Sequence, residues 1–293
     1  MPETDTTTAA TARSTVKVGL IGQGIGLSRT PAMHMAEGRE QGLRYEYEIM
    51  DVDDPKFTEH SLAQFLEHAE ASGFAGLNVT YPFKISVIEH LDALSENARA
   101  LGAVNTVVFR NGKRFGHNTD LWGFSESFRH GMAGATTGDV LLLGAGGAGM
   151  AVAHALLSSG VERLWIYDTE GERLRNLVFG LRKRFNTDRA APVDAPEAAA
   201  DRIDGLVNAT PVGMAKLPGC PFPKHLLRPD MWVADIVYFP LETELLAAAR
   251  AAGCRVLPGS GMAVYQAVRA FELFTGKTPD PGRMRATFES LGA

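Results

Sequence analysis

The sequence predicts a two-domain α/β protein built from repeated strand–helix units. Short runs rich in β-branched residues alternate with helical patterns along most of the 293 residues, the order expected when crossover helices cover a parallel sheet. A Gly-x-Gly-x-x-Gly turn at residues 144–149 follows an apolar strand and precedes an Ala-rich helix. The length also exceeds the ~100 to 200 residues usual for one domain, so we expect two domains.

The first domain is expected to span residues 16–120 and to close with a hairpin. Its predicted elements, in chain order, are strand 16–21, a helix from about Pro31, strand 45–51, helix 61–71, strand 76–80 and hairpin strands 105–110 and 114–118. Asn111-Gly112, between the last two strands, is the dipeptide most typical of a type I′ turn. This order predicts an N-terminal α/β domain.

The second domain is expected to span residues 130–258, after a connecting helix (121–132) and a polar, Gly-rich linker (131–138). Its predicted elements are strand 140–143, helix 147–159, strand 164–167, a charged helix from Glu172, strands 205–208 and 232–237, helix 242–252 and strand 255–256. Repeated βα units of this kind indicate a doubly wound Rossmann sheet.

The two ends of the chain are interpreted differently. The Thr- and Ala-rich start, residues 1–15, has no basic region followed by an apolar one, so we interpret it as a disordered tail and not as a signal peptide. A final helical pattern at 264–274 ends near Gly276. Residues 260–293 are therefore expected to return and pack on the N-terminal domain.

Composition disfavours several classes of protein. The net charge of −5 and the lack of a long basic run disfavour nucleic-acid binding. The two cysteines have no Cys-x-x-Cys spacing and the histidines no ligand spacing, so neither a disulfide framework nor a metal site is expected. No apolar stretch approaches the ~20 residues that cross a bilayer. We expect a cytoplasmic protein, monomeric or homodimeric, that does not bind membranes.

Two glycine-rich turns follow strands, but only one has the spacing that a dinucleotide needs. The first glycine turn, residues 22–27, has Leu27 where the third glycine would stand, and we interpret it as a turn that delivers Ser28 and Thr30. In the second glycine turn, residues 144–149, the glycines permit a tight turn, backbone approach to a pyrophosphate and close helix packing. The predicted dinucleotide turn is Gly144, Ala145, Gly146, Gly147, Ala148 and Gly149.

An acidic residue after the next strand favours NAD over NADP. Asp168 stands 24 positions after Gly144, where its carboxylate would accept hydrogen bonds from the adenosine ribose and repel a 2′-phosphate. Arg173, five residues on, would stack on adenine or, less favourably, meet a phosphate. The alternative role of Asp168 is that of a helix N-cap.

Polar residues gather at strand ends in the first domain, and together with later motifs they resemble a known family. The matching segments are 28–30, 78–84, 102–106, 116–120, 144–149, 208–211, 235–238 and 261–266. They resemble the shikimate dehydrogenase family over nearly the whole chain after the tail. Ser28-Arg29-Thr30 and Asp168 are similar to its NAD-using quinate/shikimate branch, whereas the NADP-using biosynthetic branch typically has Ser-x-Ser and an Asn-Arg-Thr cofactor motif.

The resemblance implies NAD-dependent oxidation of a ring hydroxyl of quinate or shikimate to the 3-dehydro ketone. Such a reaction needs a group that takes the hydroxyl proton while hydride leaves for the nicotinamide. The resemblance gives this role to Lys84 and implies that Asp120 orients the lysine and the same hydroxyl. Taken singly, Lys84 would be a solvated lysine at a helix start and Asp120 a helix cap.

Further contacts with substrate and cofactor follow from the same resemblance. The expected substrate-binding residues are Ser28, Thr30 and Tyr238 for the carboxylate, and Thr80, Asn105 and Gln266 for ring hydroxyls. The further cofactor-binding residues are Asn208, Thr210, Val237, Gly259 and Met262. Three alternatives remain: an NADP-linked shikimate dehydrogenase, an aminoshikimate-type dehydrogenase, and a catalytically silent sensor, which the presence of Lys84 and Asp120 disfavours.

Overall fold

The computed structural model of the chain describes residues 15–57 and 60–292 and confirms the two-sheet α/β prediction. The predicted tail lies outside the described residues except for Thr15, which begins the first strand. Within the described ranges, no helix is long and apolar enough to cross a membrane.

The first sheet has six strands, partly parallel and partly antiparallel. Its elements are β1 (Thr15–Gly22), α1 (Thr30–Glu40), β2 (Arg44–Asp51), α2 (Leu62–Ala71), β3 (Gly76–Val79), a 3₁₀ turn (Ser86–His90), β4 (Ala93–Leu94), α3 (Glu96–Leu101), β5 (Thr106–Arg110) and β6 (Lys113–His117). The strand order is β2-β1-β3-β5-β6-β4, with β5 antiparallel to β3 and β6. Asn111 and Gly112 both have positive φ, 54° and 66°, as the predicted type I′ turn requires.

The second sheet is wholly parallel and doubly wound. Its elements are α4 (Thr119–Gly131), β7 (Asp139–Leu143), α5 (Gly147–Ser158), β8 (Arg163–Tyr167), α6 (Gly171–Phe185), β9 (Ala190–Pro192), β10 (Gly205–Asn208), β11 (Trp232–Asp235), α7 (Glu244–Ala251) and β12 (Arg255–Leu257). The strand order is β12-β11-β10-β7-β8-β9. Strands β7 to β9 follow one another toward one edge of the sheet and β10 to β12 toward the other, so the order in which strands are added reverses between β10 and β7. Ligands bind at such a reversal, beyond the carboxyl ends of the strands.

The last two helices, α8 (Ser260–Thr275) and α9 (Pro281–Ser290), pack on the first domain. Phe271 and Phe288 share one buried cluster with Val18 and Met33 of β1 and α1. The buried Glu37 of α1 forms an ion pair with Arg283 of α9, 2.7 Å between Oε1 and Nη2. The end of the chain therefore completes the core of the first domain.

Candidate active site

A cleft of about 740 Å³ separates the two domains at the carboxyl ends of both sheets. Its size lies within the ~300 to 1,000 Å³ usual for small-molecule and cofactor sites. All the residues predicted for catalysis and substrate binding line it: Lys84, Asp120, Ser28, Thr30, Thr80, Asn105, Tyr238 and Gln266. Four predicted cofactor residues outside the glycine turn also line it: Thr210, Val237, Gly259 and Met262.

Lys84 and Asp120 form an ion pair on one wall of this cleft. Lys84 Nζ lies 2.6 Å from Asp120 Oδ2, and the two side chains are 29% and 7% exposed. The lysine backbone is fixed because Val104 N donates to Lys84 O. Asp120 lies in the first turn of α4 but does not cap it, because Asn118 Oδ1 accepts the hydrogen bond from Asp120 N. The carboxylate is thus free to hold the lysine, which remains open to the cleft.

A chain of hydrogen bonds beneath the cleft orients the asparagines at its floor. Asn105 Nδ2 donates to Thr119 Oγ1, and Asn105 Oδ1 accepts from Thr119 N at 2.8 Å. Tyr47 Oη donates to Asn78 Oδ1 at 2.8 Å, and Asn78 Nδ2 donates to Thr106 Oγ1. Asn78 also lines the cleft and was not among the predicted site residues, although its place at the end of β3 could have indicated it.

The first glycine turn is closed by a carboxylate of its own domain. Gly24 N donates to Asp51 Oδ1 at 2.9 Å and Ile25 N donates to Asp51 Oδ2 at 2.8 Å. Burial raises the pKa of Asp51, but the backbone N–H donors outweigh burial and lower that pKa below its usual value. The anion-binding N–H groups of this turn are therefore already used. What the turn presents to the cleft is the pair of hydroxyls, Ser28 and Thr30.

The second glycine turn leads into a helix whose N-terminus has no side-chain cap. Gly144 has φ +98°, and a Cβ there would lie 2.8 Å from Ala209 O; a Cβ on Gly149 would lie 2.0 Å from Gly144 O. Residues 146–148 line the cleft, whereas Gly144, Ala145 and Gly149 lie behind it. No side chain caps the N-terminus of α5, so its first N–H groups can bind a pyrophosphate. These features fit a dinucleotide.

Asp168 lies directly behind the second glycine turn. Its Oδ2 accepts from Ala145 N at 2.7 Å and its Oδ1 accepts from Glu170 N at 2.8 Å. The Asp168 side chain is 5% exposed, and Arg173 Nη1 lies 3.6 Å from Oδ2. The closer partner of Arg173 is Glu170, at 2.6 Å. The carboxylate thus combines the predicted position beside the turn with a structural role in the segment that leads into α6.

The structure corrects the predicted role of Asn208, because this side chain is fully buried and has no surface toward a ligand. Asn208 Nδ2 donates to Val212 O and to Asp235 Oδ1, and Asn208 Oδ1 accepts from Thr210 N and Thr210 Oγ1. All four of its hydrogen-bonding sites are used within the protein. Asn208 therefore positions Thr210 and does not contact a cofactor.

Asp235, at the end of β11, shapes the site, although no role was predicted for it. It is 1% exposed and accepts hydrogen bonds from Asn208 Nδ2, Val237 N and Thr243 Oγ1. Burial raises the pKa of Asp235 to about 6, although these hydrogen bonds act to lower it. The contact with Val237 N ends the strand two residues earlier than predicted and turns the chain so that Tyr238 faces the cleft.

Across residues 15–57 and 60–292, no three His, Cys, Asp or Glu side chains are grouped so that they could hold a metal ion. The titratable groups that face the cleft are Lys84, Asp120, Tyr238 and Arg29, with Lys216 on the opposite wall. The chemistry available to the described residues is therefore proton transfer and anion binding.

Two family descriptions match separate parts of the chain. The family described as "Shikimate dehydrogenase substrate binding domain" matches residues 20–107, and "Shikimate 5'-dehydrogenase C-terminal domain" matches residues 259–287. A Streptomyces avermitilis protein named "Shikimate dehydrogenase (NADP(+))" is 51% identical over 277 residues, which cover 94% of this chain and 95% of the relative. These matches confirm the resemblance found in the sequence motifs.

Relatives whose names specify NAD are also similar to this chain. A Corynebacterium efficiens protein named "Quinate/shikimate dehydrogenase (NAD(+))" is 47% identical over 279 residues, covering 94% of this chain and 98% of the relative. Among solved structures, "Quinate dehydrogenase from Corynebacterium glutamicum in complex with NAD" is 46% identical with a TM-score of 0.91, covering 95% of this chain and 100% of that chain.

Proposed function

Since the chain belongs to the shikimate dehydrogenase family of oxidoreductases, we propose that it oxidises a ring hydroxyl of quinate or shikimate to the 3-dehydro ketone with NAD. The observation that carries this proposal is the Lys84–Asp120 pair, 2.6 Å apart, in the same cleft as a glycine turn that leads into a helix N-terminus without a side-chain cap. A proton acceptor and a dinucleotide turn facing one space are the two parts that such an oxidation needs.

Each wall of the cleft has its own task in this reaction. Ser28 and Thr30 donate their hydroxyl hydrogens to the substrate carboxylate, and Tyr238 adds a third donor. Lys84 acts as the neutral amine that takes the proton of the reacting hydroxyl, and Asp120 stabilises the ammonium that this transfer forms. Bound NAD supplies the acceptor for the hydride. Asn105, Thr80 and Gln266 contact the remaining ring hydroxyls.

Asp168 supports NAD as the cofactor. Its carboxylate is fixed by Ala145 N beside the turn that would hold the pyrophosphate, and each of its oxygens keeps a lone pair for a ribose hydroxyl. A 2′-phosphate there would place like charges together in a partly desolvated site. Arg173 is engaged by Glu170 and is 44% exposed, so it offsets this repulsion only weakly.

Initial rates with quinate and with shikimate, each with NAD and with NADP, test the proposal directly. We expect turnover with NAD to exceed turnover with NADP. Asp168→Ser, alone or with Thr169→Arg, is expected to weaken NAD binding by about 1 to 3 kcal/mol, the scale of a lost charged hydrogen bond, and to admit NADP.

Glu172→Ser is the matched control, because it removes one acidic charge from α6 at a side chain that is exposed. It should leave both cofactor affinities unchanged. Equal rates of the unmutated enzyme with NADP would refute the role of Asp168 and favour the NADP-linked alternative, for which the Streptomyces relative is named.

A further inference from the structure

Arg29 is a buried cation between the two hydroxyl residues of the first glycine turn. The residue lines the cleft, yet it is only 9% exposed. Its Nη1 donates to Phe288 O at 3.0 Å, its Nη2 donates to Gly292 O, and its Cζ lies 4.7 Å from the centre of the Phe288 ring. The last turn of the chain thus contacts the residue that separates Ser28 from Thr30.

The positive charge of Arg29 has no negative partner in the part of the chain that the structure describes. Its hydrogen bonds go to neutral carbonyls, and no Asp or Glu of the described ranges forms an ion pair with it. A buried charge whose described partners are neutral carbonyls is incompletely compensated, so an anion brought beside it is favoured. The Tyr238 ring, 6.0 Å from the Phe288 ring, encloses the same corner of the cleft.

The packing of α9 on the first domain does not require the positive charge of Arg29. Arg283 already joins α9 to the fully buried carboxylate of Glu37, and Met284 and Phe288 are buried in the shared core. Neutral side chains would satisfy the carbonyls of Phe288 and Gly292 at lower desolvation cost than a guanidinium.

We propose that the buried charge of Arg29 makes the Ser28–Thr30 site selective for a carboxylate, and that the C-terminal turn Phe288–Gly292 holds the guanidinium in place. Hydroxyl groups alone donate to a neutral carboxamide as well as to a carboxylate and favour the anion only modestly, whereas a nearby cation adds a preference for the anion. Arg29 is a positioning and specificity residue in this scheme. The inference rests on the proposed function in that it takes the substrate to be a carboxylic acid.

Binding and turnover, measured side by side on the full chain, test the two proposals separately. The Kd values of quinate and of its neutral carboxamide are measured by titration calorimetry with NAD present, and the ratio of the two is compared between variants. Arg29→Gln should lower the preference for the acid by about tenfold or more. Arg29→Lys, which keeps the charge, should retain most of that preference.

The control variant is Arg283→Gln, which removes a guanidinium that ties α1 to α9 away from the cleft. It should lower the melting temperature and leave the ratio unchanged. Should Arg29→Gln not fold, Arg29→Met takes its place under the same criteria, because its unbranched stem still packs on Phe288.

Two results with the variants would overturn the inference. One is an equal loss of affinity for acid and amide in Arg29→Gln, which would make the residue merely structural; the other is a loss in Arg29→Lys as large as in Arg29→Gln. An unmutated enzyme that binds quinate with an Arg29-dependent ratio but oxidises neither quinate nor shikimate would refute the proposed function alone. No preference of the unmutated enzyme for the acid over the amide would refute the inference alone.

Discussion

Replacing Lys84 with alanine tests the centre of the proposed site. The change removes the proton acceptor and leaves Asp120, 7% exposed, without the ammonium that lies 2.6 Å from it. Loss of a general base typically costs 10² to 10⁴ in rate, so we expect kcat to fall by at least ~10²-fold. The affinity for NAD should change less, because the glycine turn lies on the other wall of the cleft.

The stability cost of the same change follows from the exposure of the pair. Breaking a fully buried ion pair costs ~3 to 5 kcal/mol, and an exposed one ~0 to 1 kcal/mol. Lys84 is 29% exposed, so water reaches the ammonium side of the pair. We therefore expect Lys84→Ala to lower the free energy of unfolding by about 1 to 2 kcal/mol, between these limits. Denaturant titration measures this loss, and initial rates at saturating acid and NAD measure kcat.

Arg114→Ala is the matched control, because Arg114 forms a comparable ion pair with Glu70, 2.6 Å apart with side chains 19% and 29% exposed. That pair belongs to the same domain and does not line the cleft. Its loss should lower stability to a similar extent and leave kcat near the unmutated value. A near-normal kcat in Lys84→Ala, or an equal fall in Arg114→Ala, would refute the assignment of Lys84 as the base.

Three other perturbations test the acid site and the loops around it. Ser28→Ala and Thr30→Ala should raise KM for the acid with little change in kcat, because the carboxylate keeps its charge during the reaction; weaker NAD binding with an unchanged KM would make the first glycine turn the cofactor turn. Asp51→Asn should raise the same KM, because the amide oxygen can still accept from one of Gly24 N and Ile25 N but the amide nitrogen cannot accept from the other. An unchanged KM would show that the turn keeps its shape without the Asp51 carboxylate. The buried Asp235 has a pKa raised to about 6, so the unfolded chain releases this proton at lower pH than the folded chain does. The free energy of unfolding should therefore fall by up to about 3 kcal/mol as pH rises from ~4 to ~6. Denaturant titrations should find this dependence on pH reduced in Asp235→Asn, and an equal dependence in both proteins would contradict the raised pKa.

The parts of the fold that sequence patterns predicted are those set by local chemistry. The second glycine turn, its flanking strand and the helix after it follow from glycine spacing and apolar runs, and the hairpin follows from Asn111-Gly112. Strands β4 and β9 were not predicted, because two or three residues are too few to show alternation. The roles of Lys84 and Asp120 came from family resemblance, since single residues of these types more often sit at solvated or capping positions.

Features that depend on strand register and on long-range packing could not be predicted from the sequence. Asp51 closes the first glycine turn because β1 and β2 pair in parallel with Gly22 opposite Asp51. Asn208 has the residue type and strand-end position of a ligand contact, yet its neighbours bury it completely. Arg29 finds its partners at Phe288 and Gly292, more than 250 residues away along the chain. Contacts of this kind appear only once the tertiary structure is known.

The packing of α8 and α9 on the first sheet has a consequence for the order of folding during synthesis. Val18 and Met33 leave the ribosome early, but the cluster they share is completed only by Phe271 and Phe288 near the end of the chain. The buried residues of the two clusters of the second domain lie at or before Leu257, and among the described residues Met262 of α8 is the one later residue that packs against them. Domains fold largely as units as the chain emerges, so we expect the cofactor domain to form first although it is second in sequence. The corner proposed to bind the acid is then the last part of the enzyme to assemble. A nascent chain that stops short of α9 would have the second glycine turn but would lack a completed corner around Ser28 and Thr30.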